Sequence, residues 1–343
     1  MLFQGKQYSR SDILRRVGDI AQIACVTACE LRDGPEKGVA ALDVRAGSLR
    51  FTVLPDRGMD IGYADYNGIP LACILPAGFS HPAYYEPEGL GWLRGFYAGL
   101  LTTCGLATAG APSSDNGVAL GLHGRLSVTP ARNVSYGGEW DGDEYRLFVQ
   151  GTMRETRLFG ENIALTRRIS ITAGSTHLTI HDTVENLGYG PTEHMMLYHI
   201  NIGFPVVDAA TKLAGPVIRT TPRDAAAQAG EKEWNSFTAP VKGYKEQCFY
   251  HTMKPSDDGI ATMMLHNKEL NGGMGVYVSY DTKELPEFTE WKMTGEGAYV
   301  VGLEPGNCRV EGRAKERERG TLTILGPGER RSYTLELGVR IGS

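Results

Sequence analysis

The sequence has 343 residues, of which 41% are hydrophobic, which is enough to bury one large core. Its net charge is -5, and its 35 basic residues form no run longer than a pair, so the sequence predicts no nucleic-acid partner. No apolar stretch approaches the roughly 20 residues that cross a bilayer, and the amino terminus lacks the apolar core of a secretory signal. We therefore expect a cytoplasmic protein that does not bind membranes.

The spacing of the cysteines is typical of a protein in a reducing compartment. They are scattered, without the paired spacing of a zinc site or the density of a disulfide scaffold. We expect all six to be reduced and most to be buried: Cys25, Cys29, Cys73, Cys104, Cys248 and Cys308.

The predicted elements begin with a short helix at residues 11–17, for which Ser11 or Asp12 is the expected N-cap. Residues 1–20 are interpreted as an appendage packed on the main domain. The polar residues 220–234 are interpreted as a surface insertion or a short helix within a loop. Neither segment interrupts the composition of the chain, so residues 21–343 are predicted to form a single domain.

Strand signals dominate the rest of the chain. Short segments rich in β-branched and aromatic residues alternate between apolar and polar positions, and turn residues separate them, with 44 glycines and 17 prolines spread over the whole length. The clearest strands are predicted at residues 48–54, 145–150, 165–172, 177–184, 275–280 and 332–339. No alternation of strands with helices appears, so the predicted fold is all-β: a large antiparallel β-sandwich with few short helices.

Several enzyme classes lack motif support. The sequence contains no GxSxG, no GxxxxGK[ST] and no HExxH, which argues against serine hydrolases, P-loop nucleotidases and zincin metalloproteases. His177 and His181 lie four residues apart in an alternating strand, where they are interpreted as surface positions rather than as a pair of metal ligands.

Three polar residues stand out because they lie in apolar or glycine-rich surroundings. His123 occurs in GLHGR, His199 in LYHIN, and Glu304 in GLEP. Each has an ordinary alternative explanation, since a histidine among apolar residues is commonly a hydrogen-bonded core residue and a glutamate before proline is commonly a turn residue. Glycines beside His123 would allow the backbone to approach a ligand closely.

Taken in this order, these segments resemble the aldose 1-epimerase, or galactose mutarotase-like, family. The resemblance covers residues 25–340 approximately and includes Glu246 in KEQCF as a fourth position between His199 and Glu304. The segments at residues 54–62 and 86–96 are more similar to an uncharacterised branch of that family. The resemblance implies a galactose mutarotase-like supersandwich over residues 21–343.

The family pattern is not reproduced at every position. The family usually has Asp where Glu246 stands, and the longer side chain would shift any sugar hydroxyl that it holds. Leu197 and Tyr198 precede His199 in place of the family's usual residues, and Glu304 is followed by Pro305. Glu246 has an equally acceptable interpretation as an exposed loop residue.

The activity implied by the resemblance is the interconversion of sugar anomers. This reaction takes a proton from the anomeric hydroxyl and gives one to the ring oxygen, so it needs a base and an acid on one C–O bond. Glu304 is predicted to be the base and His199 the acid, because imidazole exchanges protons near neutral pH. His123 is predicted to donate a hydrogen bond to the sugar. No metal and no cofactor is required.

Arg57 and Arg94 raise the option of an acidic or phosphorylated sugar, because a guanidinium group matches carboxylate and phosphate. The favoured interpretation of Arg57 is an internal ion pair with Asp56 or Asp60 that stabilises a turn. Arg94 is interpreted as a substrate-binding residue or as an ordinary surface residue, with equal support.

Aromatic residues supply further candidates for substrate binding. Trp92, next to Arg94 and near Phe96, could provide a platform for the C–H face of a sugar, and Trp291 in EWKM is a similar candidate.

Two other functional classes remain open. One is a sugar-binding protein without catalytic activity, and the other is a lyase or an epimerase acting at another sugar carbon, for which Tyr198 would be a candidate base. Neighbouring residues of a strand point to opposite faces, so Tyr198 is expected in the core if His199 faces a cleft. The predicted partner is a small-molecule sugar, and the protein is expected to be a monomer or a homodimer.

Overall fold

Two large antiparallel sheets, packed against each other, dominate the computed structural model, which describes residues 1–3 and 5–342. In chain order the strands are β1 (Leu2–Phe3), β2 (Lys6–Gln7), β3 (Ala24–Glu30), β4 (Ala40–Ala46), β5 (Leu49–Leu54), β6 (Asp60–Tyr66), β7 (Ile69–Pro70), β8 (Leu101–Leu106), β9 (Ser113–Asp115), β10 (Val118–Leu120), β11 (Arg132–Asp141), β12 (Glu144–Thr156), β13 (Asn162–Thr172), β14 (His177–Asn186), β15 (Thr192–Gly203), β16 (Thr211–Ala214), β17 (Val217–Pro222), β18 (Gln247–Met253), β19 (Ile260–Asn267), β20 (Met274–Asp281), β21 (Glu287–Gly295), β22 (Ala298–Gly306), β23 (Thr323–Leu325) and β24 (Arg330–Ile341).

The smaller sheet has eight strands in the order β11-β12-β13-β14-β24-β20-β19-β16. The larger sheet follows the path β17-β18-β21-β22-β15-β8-β6-β5-β4-β3, with β23 paired to β15 and β7 paired to β6. The predicted antiparallel β-sandwich is therefore confirmed. Each of the six clearest predicted strands corresponds to an observed one, because alternating apolar residues must face the space between the sheets.

The main hydrophobic core fills the space between the two sheets. Phe51 of β5 and Ile200 of β15 enter it from the larger sheet, and Val149 of β12 and Leu335 of β24 enter it from the smaller one. A second buried cluster lies on the outer face of the larger sheet, under the loops of residues 73–126, and includes Trp92, Phe96, Cys104, Leu197 and Val300.

A charged network is also buried between the sheets. Arg167 donates to Asp182 and Asp60 over 2.7 Å and 3.0 Å, and Tyr198 donates to Asp182 over 2.7 Å. Asp60 accepts two further hydrogen bonds from Thr103. Because each of these charged groups has hydrogen-bonded partners, the network can be buried in the core.

The α-helices of the described residues are short: α1 (Arg10–Leu14), α2 (Ala225–Ala229) and α3 (Arg313–Arg319). Short 3₁₀ turns lie at Ile20–Gln22, Gly34–Glu36, Pro82–Tyr84, Gly91–Gly95, Leu126–Val128 and Glu231–Glu233. Among the residues that the structure describes, no helix has the length and apolar character needed to span a membrane.

The predicted position of the first helix was wrong. The helix begins at Arg10 rather than at residue 11, and its N-cap is Ser9 rather than Ser11 or Asp12. The Ser9 hydroxyl accepts the Asp12 N–H over 3.0 Å and donates to the Asp12 carboxylate over 2.8 Å. The Ser9 hydroxyl therefore caps the helix, and Asp12 lies in its first turn.

The described residues before residue 20 include the antiparallel strands β1 and β2, followed by α1. Met1 and Ile13 are buried in the main core, and the amino group of Met1 donates to the carbonyl of Asp143 over 2.6 Å. The polar residues 220–234 contain α2, which Asp224 caps by accepting from Ala226 and Ala227. The prediction of a short helix there is confirmed.

All six cysteines lie in the described part of the chain and are free, and four of them are buried: Cys73, Cys104, Cys248 and Cys308.

Candidate functional site

His199 and Glu304 face each other across two neighbouring strands. The register of β15 and β22, in which Leu197 pairs with Gly306 and Ile200 with Leu303, brings the two side chains opposite each other. The Nε2 atom of His199 lies 3.1 Å from the Oε1 atom of Glu304. Both side chains are buried, with 6% and 2% of their surface exposed. We call these residues the acid-base pair.

The alternation of β15 separates the acid-base pair from the main core. His199 and Asn201 point to the outer face of the larger sheet, and Tyr198 and Ile200 point to the space between the sheets. Tyr198 is fully buried, and its hydroxyl is committed to Asp182. Tyr198 is therefore unavailable as a base on the side where His199 lies.

His123 reaches the acid-base pair from a loop. Its ring centroid lies 5.8 Å from that of His199. Its backbone has a φ of 57°, and Gly124 follows with a φ of 75° and so little space that an added Cβ would lie 2.3 Å from the carbonyl oxygen of Thr108. The Nδ1 atom of His123 accepts the Gly110 N–H over 3.3 Å, which leaves the Nε2 atom of a neutral ring as the donor.

Three aromatic side chains surround the two imidazole rings, and we call them the aromatic shell. Trp92 stacks on Phe96 with a centroid separation of 4.5 Å and contacts His123 at 4.7 Å. Phe96 and Trp291 contact the ring of His199 edge-on, at 5.3 Å and 5.2 Å. The structure thus brings two predicted residues, Trp92 and Trp291, into contact with the predicted histidines.

The burial of the acid-base pair changes its protonation. Burial lowers the pKa of His199 to about 4. Burial, and secondarily the charge of Glu246, raise the pKa of Glu304 well above its usual range. For His123, burial and the neighbouring His199 lower the pKa to about 3. In the free protein these shifts favour neutral histidines and a protonated Glu304, because a desolvated site disfavours every charge.

The acid-base pair also has unused hydrogen-bonding capacity. The 3.1 Å approach lacks the alignment of a hydrogen bond, so Glu304 Oε1 has no hydrogen-bond partner within residues 1–3 and 5–342. The same holds in this range for His199 Nδ1, Asn201 Oδ1 and Thr289 Oγ1. Buried polar atoms are nearly always paired, so four unpaired atoms on one sheet face mark this face as a candidate site for a polar ligand.

Gly302 is a site residue that the sequence analysis missed. It lies between the strands that carry His199 and Trp291, pairing with Asn201 and Trp291. A Cβ at this position would lie 2.5 Å from Glu304 Oε1 and 3.3 Å from His199 Cε1. The sequence did contain a signal, a glycine in a strand pattern two residues before Glu304. A glycine inside a strand often marks a place where a ligand or another backbone approaches closely.

Arg57 does not have the predicted ion pair with Asp56 or Asp60. Its guanidinium donates to three backbone carbonyls, those of Ser127, Ser80 and Gly95, over 2.9, 2.6 and 2.9 Å. Asp56 instead accepts the Ala40 N–H, and Asp60 belongs to the Arg167 network.

The predicted role of Arg57 in binding substrate is likewise not supported. Its side chain is buried, and each of its nitrogens is occupied by a carbonyl. These three bonds connect the loops that support the aromatic shell. Gly95 directly precedes Phe96, and the Ser127 hydroxyl accepts the indole N–H of Trp92. Arg57 is therefore a structural residue.

Arg94 and Glu246 have different surroundings. Arg94 is 75% exposed and pairs with Glu86 at 3.1 Å, and no hydrogen bond or ion pair of the described residues joins it to the acid-base pair. Glu246 precedes β18 and accepts the indole N–H of Trp291 over 2.9 Å. Its other oxygen accepts from Arg223 over 2.9 Å.

Arg223 was not identified from the sequence. It lies in the polar segment at residues 220–234, and besides Glu246 it binds Asp224 over 2.8 Å. Its charge partly offsets the rise in the pKa of Glu304. A charged residue in a segment interpreted as a surface insertion carried no signal for this contact.

A groove of about 420 Å³ opens beside the aromatic shell. Phe96, Trp291 and Glu246 form the side of the groove next to the acid-base pair, and Leu75, Leu93 and Met293 are among the residues of its apolar lining. His199 and Glu304 do not line it, since Phe96 and Trp291 contact the ring of His199 from the groove side.

No group of three or more His, Cys, Asp or Glu side chains is arranged to hold a metal ion within the described part of the chain. His177 and His181 lie apart from the acid-base pair, on β14 of the smaller sheet, and are half-exposed and exposed.

Comparison with known proteins places this geometry in a family context. The family model described as "Domain of unknown function (DUF4432)" matches residues 36–339. A search of curated proteins gave no match.

Among solved structures, a candidate aldose 1-epimerase from Klebsiella pneumoniae is 25% identical, with a TM-score of 0.88 over 93% of this chain and 84% of that one. A galactose mutarotase-like protein from Clostridium acetobutylicum is 13% identical, with a TM-score of 0.63 over 92% and 98%. A candidate aldose 1-epimerase from Escherichia coli is 14% identical, with a TM-score of 0.56 over 89% and 100%. The fold is that of galactose mutarotase-like proteins.

Proposed function

The chain belongs to the DUF4432 family, and we propose that this member is an aldose 1-epimerase that interconverts sugar anomers by acid-base catalysis. The observation that carries the proposal is the 3.1 Å separation of His199 Nε2 and Glu304 Oε1, with His123 beside them. Similarity to the Klebsiella pneumoniae structure supports a carbohydrate-related fold.

Substrate binding would first redistribute a proton within the acid-base pair. In the free protein the raised pKa of Glu304 and the lowered pKa of His199 favour a neutral pair. A sugar hydroxyl that donates to Glu304 stabilises the carboxylate and lowers its pKa. The proton then passes across the 3.1 Å gap to His199, which gives an imidazolium acid and a carboxylate base.

Ring opening follows from this state. Glu304 takes the proton of the anomeric hydroxyl, and the electron pair of that O–H bond forms the carbonyl bond at C1. The bond between C1 and the ring oxygen breaks, and its electron pair takes a proton from His199 Nε2. After rotation about the C1–C2 bond, the reverse steps close the ring on the other face.

The remaining residues would bind and orient the sugar. His123 donates to a sugar oxygen through Nε2, and the aromatic shell packs against the C–H face of the ring. Glu246, held by Arg223 and Trp291, accepts sugar hydroxyls at the rim. Of the two arginines that suggested an acidic sugar, Arg57 donates to carbonyls and Arg94 pairs with Glu86, so neither is assigned to binding an anion.

Saturation-transfer NMR of anomer exchange tests the proposal on a panel of neutral, phosphorylated and carboxylated sugars. Glu304→Gln and His199→Asn should each lower kcat by at least about 100-fold, the lower range for a positioned acid or base. The matched control is His181→Asn on the other sheet, which should leave exchange unchanged. Glu304→Gln exchanging a sugar as fast as the wild type would refute the mechanism.

The same panel separates the alternatives. Binding of a sugar without turnover by the wild type would establish a sugar-binding protein instead of an epimerase. Loss of the sugar signal with formation of a new product would indicate a lyase or an epimerase at another carbon, an alternative that the burial of Tyr198 disfavours.

A further inference from the structure

The groove beside the aromatic shell lies next to the acid-base pair but does not include it. His199 and Glu304 do not line the groove, yet it shares three residues with the site: Phe96, Trp291 and Glu246. Phe96 and Trp291 contact His199, and Trp291 is bonded to Glu246. A ligand that reaches the acid-base pair would therefore contact Phe96 and Trp291, and a longer ligand could extend along these two side chains into the groove.

The lining of the groove has the character of a ligand site rather than of ordinary protein surface. Its volume of about 420 Å³ falls in the usual range for small-molecule sites, roughly 300–1,000 Å³. Leu93, in the 3₁₀ turn Gly91–Gly95, has 51% of its surface exposed and lines the groove together with Trp291 and Met293. Aliphatic and aromatic side chains of this kind pack against the apolar faces of sugar rings.

The charge of the groove excludes an anionic occupant. Of the described residues that line it, Glu246 alone is charged, and both its oxygens are committed to Arg223 and Trp291. Arg223 is itself paired with Asp224. A phosphate or carboxylate placed here would be buried beside a carboxylate without a free cation, which is unfavourable.

We propose that the substrate is a neutral saccharide of at least two units: the reducing unit lies at the acid-base pair, and the next unit occupies the groove between Leu93 and Trp291. This inference rests on the proposed function for the placement of the reducing unit. The second unit cannot be attached through the reacting carbon, because anomer exchange requires a free anomeric hydroxyl. It is linked through a hydroxyl at the far side of the reducing ring.

The experiment compares monosaccharides with disaccharides that share their reducing unit. The matched sets are glucose with maltose and cellobiose, galactose with β-1,4-galactobiose, and mannose with β-1,4-mannobiose. KM and kcat are measured by saturation-transfer NMR. For at least one set, we expect the KM of the disaccharide to be at least about tenfold lower, the gain from burying roughly 60 Å² of apolar surface.

Leu93→Ser tests the location of the second unit. It should raise the KM of the preferred disaccharide at least about fivefold more than that of the matching monosaccharide, with kcat little changed. The control is Leu158→Ser, which removes an 82% exposed leucine from the loop between β12 and β13 and should change neither KM. Equal KM values within every set, or equal effects of Leu93→Ser on both sugars, would overturn the proposal.

A binding measurement distinguishes failure of the proposed function from failure of the groove proposal. If no sugar is turned over, the same sets are titrated while the tryptophan fluorescence is followed. Tighter binding of a disaccharide, weakened by Leu93→Ser, would retain the groove proposal without the catalytic one. Absence of binding by every disaccharide would overturn the groove proposal as well.

Discussion

The larger sheet carries two His–Glu pairs, and they differ in their surroundings. His199 and Glu304 lie 3.1 Å apart on β15 and β22, and His251 and Glu290 lie 3.0 Å apart on β18 and β21. Both pairs are buried, but His251 has partners on both ring nitrogens, since Thr220 lies 3.0 Å from its Nδ1. Among the described residues His199 Nδ1 lacks a hydrogen-bond partner, and each glutamate has one oxygen without a partner, Glu304 Oε1 and Glu290 Oε1.

The comparison shows that a buried His–Glu pair does not by itself identify a site. The ring of His251 is covered by Trp234 at 4.7 Å, and no surface of either side chain in its pair is exposed. The ring of His199 is bordered by residues that also line an open groove. The difference therefore lies in the histidines: a buried ring with both nitrogens paired marks a structural pair, and a ring with an unpaired nitrogen beside a groove marks a pair available to a ligand.

The largest expected effect would come from breaking the structural pair. His251→Ala should lower the free energy of unfolding by about 3–5 kcal/mol, because Glu290 would be left buried without its partner. Urea denaturation measures this loss. Anomer exchange per folded molecule should be unchanged, and a loss below about 1 kcal/mol would contradict the structural role.

Displacing Glu304 without removing it would sharpen the comparison. In Gly302→Ala the added methyl group would lie 2.5 Å from Glu304 Oε1, so the carboxylate must shift. A misplacement of this size typically costs about 100-fold in rate, and kcat in the NMR assay should fall accordingly. The matched control is Gly190→Ala, where a Cβ meets nothing within 4 Å. Equal kcat values for the two variants would show that Glu304 need not be held in place.

The smallest expected effect concerns the pH dependence of stability. Because burial lowers the pKa of His199 to about 4 from an ordinary 6.5, the unfolded chain binds a proton in this interval that the folded protein does not. The contribution of His199 to the free energy of unfolding should therefore rise with pH between these values, by up to about 1.4 kcal/mol per pH unit, and the raised pKa of Glu304 contributes a slope of the opposite sign.

His199→Asn should reduce this slope, and urea denaturation at a series of pH values measures it. The variant would retain contributions of the same sign from His123 and His194, whose pKa values burial also lowers. Identical slopes in wild type and variant would mean that His199 is hydrated in the folded protein as it is in the unfolded chain.

The sequence was sufficient for the architecture because strand periodicity is local. Residues 145–150 and 165–172 alternate apolar and polar side chains, and they became parts of β12 and β13 with the apolar side chains in the core. The order of His123, His199 and Glu304 was also readable, since each lies in a short segment whose neighbours are distinctive. The bounds of α1 were misjudged because Ser9 was overlooked as the N-cap.

Only the tertiary structure decided what these residues contact. The partners of Arg57 are carbonyls from three separate loops, and Arg223 reaches Glu246 from a segment 23 residues away. The protonation of His199 depends on burial by Phe96 and Trp291, which come from distant parts of the chain. The register between distant strands and the desolvation of their side chains are set only when the strands pair. They therefore cannot be read from a local sequence pattern.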